Sequence, residues 1–218
     1  MMEFAVSLPS AEQLAEAHSN EIFQSDRDYP AALLAVDHAL QTNSVGAVAQ
    51  AIATLLKIWN RMHYRFHPEE KLSLESDLKQ LVASHFPAIL EFRARTITSL
   101  VTKDREAIVE LVSAFEGKLG PVGSAKALNL LAPSFFPLWD SPIAIAYGIT
   151  PCLNGYLLFM LISKYQVEGC NGFSPIGAAP LKVIDEYNFC KYTEPFLASR
   201  RTATKPGKKQ SVTGPDHA

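Results

Sequence analysis

Cysteine is scarce in this 218-residue chain, and its spacing shows no metal-binding pattern. The three residues, Cys152, Cys170 and Cys190, form no C-x-x-C pair and are odd in number. We therefore expect neither a disulfide framework nor a zinc or iron–sulfur site, and no other cofactor is indicated. Free thiols are typical of a reducing compartment, so the sequence predicts a cytoplasmic protein.

The chain also lacks a long hydrophobic run. Hydrophobic residues make up 48% of it, but the closest candidate for a membrane span, residues 156–162, is short. A span needs roughly 18–20 apolar residues. The first residues, MMEFAVSLPSAEQ, include Glu3 and no basic segment, which is not the pattern of a secretory signal. We expect no membrane association, and the apolar content is sufficient to bury a core.

Strand patterns, internal repeats and a G-x-G-x-x-G motif are missing, whereas helical signals recur. Ser10 and Gln13 have the form of a capping box, and Ser44 and Asp104 stand where N-caps would. The sequence predicts an all-α fold of roughly eight or nine helices with short loops. We expect helices at about residues 10–24, 30–41, 44–66, 68–85, 87–100, from 104 to Gly117 or Gly120, around Lys126, after 140, at 153–167 and from 180.

The domain organisation is predicted to be one helical domain, residues 1–198, followed by a tail. A boundary near residues 98–104 would divide the domain into two lobes. Residues 199–218 are rich in Lys, Ser, Thr, Pro and Gly, so we expect a disordered basic tail. Of the chain's 20 basic and 22 acidic residues, five basic and one acidic lie there, so the tail is +4 and the remainder −6. The tail either contacts a nucleic-acid backbone or only aids solubility.

Charge is nearly absent from residues 119–148, LGPVGSAKALNLLAPSFFPLWDSPIAIAYG, where Lys126 and Asp140 are the only charged side chains. A lysine and a carboxylate sheltered by apolar residues are candidates for catalysis, or form a structural ion pair. Asp140 precedes Ser141 and Pro142 and is expected to cap the next helix. Lys126 is either a desolvated nucleophile or a lysine whose amine reaches water.

Two further features suggest ligand binding. Pro121, Val122 and Gly123 are expected to form a tight turn whose glycine lets the backbone approach a phosphate, or else an ordinary turn between helices. Residues 59–67 combine aromatic, amide and basic groups on consecutive helical turns, as base-binding surfaces do. Helical spacing predicts that Asn60, His63, Tyr64 and His67 share one face. Alternatively, the aromatic residues belong to the core and the arginines are solvated.

The order of a G-x-V-G turn, a lysine and an aspartate that follows aromatic residues and opens a helix resembles the helix-hairpin-helix DNA glycosylases. The similarity covers about thirty residues. It implies a hairpin that anchors the DNA backbone and a base flipped into a cleft between two helical lobes. It gives the carboxylate role to Asp140 and the nucleophile role, as in members with lyase activity, to Lys126. The hairpin would comprise Gly120, Val122 and Gly123.

We therefore expect a DNA glycosylase that acts on duplex DNA containing an altered or modified base and leaves an abasic site. A non-catalytic helical module that binds nucleic acid or protein is the alternative, and a helical scaffold without a nucleic-acid partner is a third hypothesis. The candidate catalytic residues are Asp140 and Lys126, and the candidate DNA- or base-binding residues are Gly120, Val122, Gly123, Trp59, Asn60, His63, Tyr64 and Trp139. The acidic body argues against a broad DNA-binding face.

Overall fold

The protein is all-α. The computed structural model describes residues 8–170, 173, 176 and 178–203, and these contain helices and no strand. The helices are α1 (Ala11–His18), α2 (Glu21–Gln24), α3 (Asp28–Gln41), α4 (Val45–Trp59), α5 (Arg61–Phe66), α6 (Pro68–Arg93), α7 (Arg105–Leu131), α8 (Ser141–Ala146), α9 (Leu153–Gly169), α10 (Pro180–Asn188) and α11 (Glu194–Ala203). Two 3₁₀ turns, Ile97–Ser99 and Thr102–Asp104, separate α6 from α7. A π-helical turn, Phe189–Thr193, joins α10 to α11. None of the described helices is both long enough and apolar enough to cross a membrane.

The predicted C-terminal tail falls mostly beyond the described residues. Helix α11 continues through Ala203, so helical structure extends past the expected domain end at residue 198. Residues 204–218 lie outside the described residues.

The first predicted helix is two helices. The capping box is confirmed, because Gln13 N donates to Ser10 Oγ at 3.2 Å and Ser10 N donates to Gln13 Oε1 at 2.9 Å. Helix α1 nevertheless ends at His18 instead of continuing to residue 24. Asn20 begins α2, since its side-chain oxygen accepts a hydrogen bond from Ile22 N at 3.0 Å. Short polar side chains of this kind compete with helix continuation.

Two more predicted boundaries differ from the structure. The helix expected over residues 44–66 is broken at Asn60 (φ −104°, ψ 27°), and Ser44 makes no side-chain cap. The segments expected at 68–85 and 87–100 form instead one helix, α6, with a kink at His85 (φ −115°, ψ 16°). Pro87 explains the kink, because its ring clashes with the preceding turn and it has no N–H to donate.

Helix α7 contains the turn on which the hairpin prediction rests. Gly120 adopts φ 67° and ψ 171°, and helical geometry resumes at Pro121. The break is therefore at Gly120, and Pro121, Val122 and Gly123 form the first turn of the segment that follows instead of a tight turn. The predicted Asp104 cap is also wrong. Its carboxylate accepts hydrogen bonds from Arg95 and from Val101 N (2.9 Å), so it is not available to α7.

A continuous apolar core extends from α3 to α10 and includes residues on both sides of 98–104. Phe92 of α6, for example, lies 4.7 Å from Phe135 and 5.4 Å from Phe136, measured between ring centroids. A smaller cluster joins the two ends of the chain, where Leu14 of α1 packs with Val183 and Ile184 of α10. Residues of α2 and of α11 line one cleft.

Candidate active site

A cleft of about 650 Å³ opens beside α2, α8 and the α10–α11 junction. Five aromatic residues line it: Phe23, Trp59, Trp139, Phe189 and Phe196. Five charged residues share it: Asp26, Lys126, Asp140, Lys182 and Asp185. Three carboxylates and two lysines thus face a space with mainly aromatic and aliphatic walls. This combination is typical of small-molecule sites, which have apolar walls and a few convergent polar groups.

Asp140 is fixed by hydrogen bonds to both of its oxygens. As predicted, it caps α8: Ile143 N donates to Oδ1 at 3.0 Å. Thr193 Oγ1 donates to Oδ2 at 2.8 Å from the π-helical turn, 53 residues away in the chain. The carboxylate is therefore held in one orientation at the cleft wall by two separate elements.

Lys126 lies partly buried in the wall of the same cleft. Its Nζ donates to Asn60 Oδ1 at 2.6 Å and lies 5.6 Å from the centre of the Trp59 ring. Burial lowers the pKa of Lys126 from 10.5 to about 8, although the negative charges of Asp140 and Asp185 oppose part of this shift. At mildly alkaline pH a substantial share of the amine is therefore unprotonated, as a nucleophile requires.

The structural ion pair considered for Lys126 and Asp140 does not form. Both side chains line the cleft, but no described carboxylate lies within ion-pairing distance of Lys126. Its partner is the neutral amide of Asn60. This leaves the space between the amine and Asp140 open to a ligand.

The predicted hairpin residues lie next to residues that form this site. Trp139 is almost fully buried, and its Nε1 donates to the Pro121 carbonyl at 3.1 Å. Val122 is partly exposed, whereas Gly123 is buried, and a Cβ there would lie 3.1 Å from Leu119 Cβ and 3.6 Å from Asn60 Nδ2. The tight contact would be with Leu119 of the preceding turn, whereas 3.6 Å from Asn60 is an ordinary van der Waals distance.

The structure divides the residues predicted at 59–67 into two groups. Trp59 lines the cleft and Asn60 binds Lys126. Tyr64 instead is buried outside the cleft, and burial raises its pKa to about 12. His63 is exposed and pairs with Glu70 at 2.7 Å. The rings of His63 and His67 stack with their centroids 4.6 Å apart, and the break at Asn60 separates both residues from Trp59 along the chain.

Helix α10 contributes charged residues that sequence reasoning missed. Lys182 Nζ lies 3.2 Å from Asp185 Oδ2 and 3.5 Å from Glu186 Oε1, and 4.9 Å from the ring centres of both Phe23 and Tyr29. Burial alone would lower the pKa of Lys182, but the two carboxylates outweigh it and the pKa is raised. The i, i+3, i+4 spacing of the three charges was visible in the sequence. No local sequence pattern indicated that this group of charges lies near Lys126.

Asp185 is another carboxylate of the cleft, and its surroundings shift its pKa. Its side chain is only 15% exposed. Burial raises the pKa of Asp185; Lys182 opposes this shift, and the charge of Asp140 adds to it. Asp140 and Asp185 therefore have different surroundings, one held by N–H and O–H donors and the other by an ammonium. Two carboxylates with unequal environments are suited to unequal roles in acid–base chemistry.

Comparison of the chain with protein-family models, with curated proteins and with solved structures gives no match. The three cysteines are free. Among the described residues, only His67, Glu69 and Glu70 are close enough to share a metal ion, and they lie on the exposed surface outside the cleft.

Proposed function

We propose that the protein is a DNA glycosylase that binds a flipped base in the cleft and cleaves its N-glycosidic bond. The observation that carries the proposal is the convergence of Asp140, Asp185 and Lys126 in one aromatic-lined cleft. Its volume, about 650 Å³, lies within the roughly 300–1,000 Å³ of small-molecule sites. Trp59 already stacks on Tyr29, with ring centroids 5.6 Å apart, so a base would stack on the parts of the aromatic wall that remain open to the cleft.

Asp140 is assigned to the sugar. As the bond between C1′ and the base nitrogen breaks, positive charge develops at C1′, and a fixed carboxylate in a largely apolar cleft stabilises it. A water molecule then adds its oxygen to C1′ and gives up a proton, leaving an abasic site. The hydrogen bonds from Ile143 N and Thr193 Oγ1 keep Asp140 oriented throughout.

Asp185 is assigned to the leaving base. A departing base carries negative charge unless it is protonated, so an acid near the base lowers the barrier. Burial raises the pKa of Asp185 and so shifts it toward the protonated form that such an acid needs, while the ion pair with Lys182 opposes this shift. The proton lost by the water replaces the one that Asp185 donates to the base, so Asp140 and Asp185 return to their starting protonation states.

Lys126 is assigned either to positioning or to covalent catalysis. Its unprotonated amine would attack C1′ as the bond to the base breaks and the base leaves with a proton. Opening of the C1′–O4′ bond then gives an iminium, and elimination of the 3′ phosphate cleaves the strand. Borohydride reduction would trap this adduct. A trapped species lost in Lys126→Met would support the lyase role, whereas glycosidic cleavage without trapping would leave Lys126 a binding residue.

The proposal is tested with duplexes that carry a panel of altered and hypermodified bases, heated in alkali to break abasic sites. We expect cleavage by the wild type and a loss of roughly 10²–10³-fold in Asp140→Asn, in line with the removal of one electrostatic stabiliser. Asparagine caps helices as well as aspartate does, so this variant should remain folded. Equal cleavage by the variant would contradict the mechanism.

The alternative, a non-catalytic helical module, predicts a different result. The protein would then bind nucleic acid or protein without breaking any bond, and the full panel would remain intact. Lys126 and Asp140 would serve only to stabilise the walls of the cleft.

A further inference from the structure

We infer that a second site, separate from the cleft, binds the phosphodiester backbone of a nucleic acid. This basic patch consists of Lys57, Arg61, Arg65 and Lys71, which line a surface pocket of about 370 Å³ with Met62 and Tyr64. Within the part of the chain that the structure describes, no carboxylate lines the pocket. The inference deepens the proposed function, on which it rests for the identity of the partner, by supplying the backbone contact.

The cations of the patch are regularly spaced, as the phosphates of a nucleic-acid strand are. Lys57, Arg61 and Arg65 are spaced four residues apart, and the hydrogen bond from Tyr64 N to Asn60 O (3.1 Å) continues the helical path across the break. Eight residues of helix rise about 12 Å. One DNA strand carries a phosphate about every 3.4 Å along the axis. The row therefore extends over about three to four phosphate spacings of one strand, and Lys71 of α6 adds a fourth cation beside it.

These four cations have no carboxylate within ion-pairing distance among the described residues, unlike Arg95, which pairs with Asp104, or Lys118, which pairs with Asp77. Two acidic side chains at the start of α6 are engaged with histidines. Glu70 pairs with His63 at 2.7 Å and with His67 at 3.5 Å, and Glu69 lies 3.8 Å from His67. A phosphate would therefore not have to displace an existing ion pair.

The remaining side chains of α5 favour a nucleic acid over a simple anion. Phe66 is 69% exposed and Met62 is 57% exposed on the same short helix as Arg61 and Arg65. Exposed aromatic groups stack on bases, apolar side chains can wedge between base steps, and the planar arginine fork matches phosphate oxygens. A chain with a net charge of −2 gains local attraction to DNA only where its cations are concentrated.

The patch and the cleft meet at one helix junction. Trp59, which lines the cleft, and Asn60, which binds Lys126, lie in the chain between Lys57 and Arg61. A strand gripped by the patch is thereby held beside the elements that form the cleft wall.

The test measures the affinity of the full-length chain for a labelled duplex by fluorescence anisotropy between 25 and 200 mM salt. Each neutralised cation should flatten the slope of log K against log salt by about one. We expect Arg61→Gln with Arg65→Gln to lower the slope by about two and the affinity at least tenfold. The matched control, Lys79→Gln with Lys103→Gln, removes two exposed cations outside the patch and should change neither. Arg61→Lys with Arg65→Lys should keep the slope.

Several outcomes would overturn the inference. The first is that the wild type does not bind DNA at 25 mM salt. The second is that the control pair loses as much affinity and slope as the patch variants do. The third is that deletion of residues 204–218 removes the salt dependence of binding, whereas the patch variants leave it unchanged. Binding to vesicles containing anionic lipid, with none to DNA, would assign the patch to a membrane surface instead. Asp140→Asn should bind DNA as the wild type does. Binding that depends on the patch, without cleavage of any substrate, would refute the proposed function and leave the patch assignment standing.

Discussion

At the scale of single residues, the cleft contains a lysine whose position lowers the stability of the folded protein. Lys126 is buried beside the Trp59 ring with only a neutral amide as its hydrogen-bond partner. A buried ammonium without an ion pair is costly, because solvation is lost and little replaces it. Residues that lower stability in this way are typical of functional sites, where pKa values are shifted for chemistry.

Replacing Lys126 by methionine is expected to stabilise the protein, in a manner that depends on pH. The pKa of Lys126 is about 8 in the folded protein and 10.5 unfolded. Between these values the unfolded state binds more protons, so wild-type stability rises with pH in that window. Below pH 8 the full burial penalty is present. The variant should therefore be more stable by about 1–3 kcal/mol at pH 6–7, and the difference should shrink as pH rises from 8 to 10.5.

Chemical denaturation of both proteins at several pH values measures this difference. A variant that is less stable than the wild type at pH 6–7 would show that the Asn60 and Trp59 contacts outweigh the burial of the charge.

At the scale of secondary-structure elements, the break at Gly120 shapes the candidate site. Its φ of 67° with ψ of 171° lies in a region that is almost exclusive to glycine. The segment after it carries Lys126, and Pro121 at its start accepts the hydrogen bond from Trp139. The direction of this segment, and so the position of the lysine, depends on one backbone conformation.

A matched pair of glycine substitutions isolates that effect. Gly117 and Gly120 both have open space where a Cβ would lie, so neither substitution creates a clash. Gly120→Ala should destabilise the protein by about 1–3 kcal/mol through backbone strain. Gly117→Ala, in regular helix, should instead stabilise it by about 0.5–1 kcal/mol. Thermal unfolding of both variants provides the measurement, and equal effects of the same sign would contradict the assigned conformation at residue 120.

At the scale of the whole molecule, the cleft is assembled from both ends of the chain. Asp140 binds Thr193 across 53 residues, and Lys126 binds Asn60 across 66. Helices α1 and α10 pack together, and the main core extends across residues 98–104 without interruption. The described residues are therefore expected to unfold together.

The two tryptophans test this cooperativity, because Trp59 precedes residues 98–104 and Trp139 follows them. In Trp139→Phe only Trp59 reports on unfolding, and in Trp59→Phe only Trp139 does. Within each variant, the denaturation midpoint from fluorescence should coincide with that from far-UV circular dichroism. Separate midpoints would show two lobes that unfold independently.

The amino-acid sequence by itself determined the helical class, the capping box at Ser10, the Asp140 cap and the low count of charges in residues 119–148. These depend on interactions within about four residues, which local patterns reveal. Only the tertiary structure decided that Trp59, Lys126 and Asp140 share a cleft, that Tyr64 and His63 lie outside it, and that Lys182 and Asp185 belong to it. Those facts depend on contacts between residues far apart in the chain and on small changes of direction at Asn60 and Gly120, and no local pattern encodes where such changes bring distant side chains.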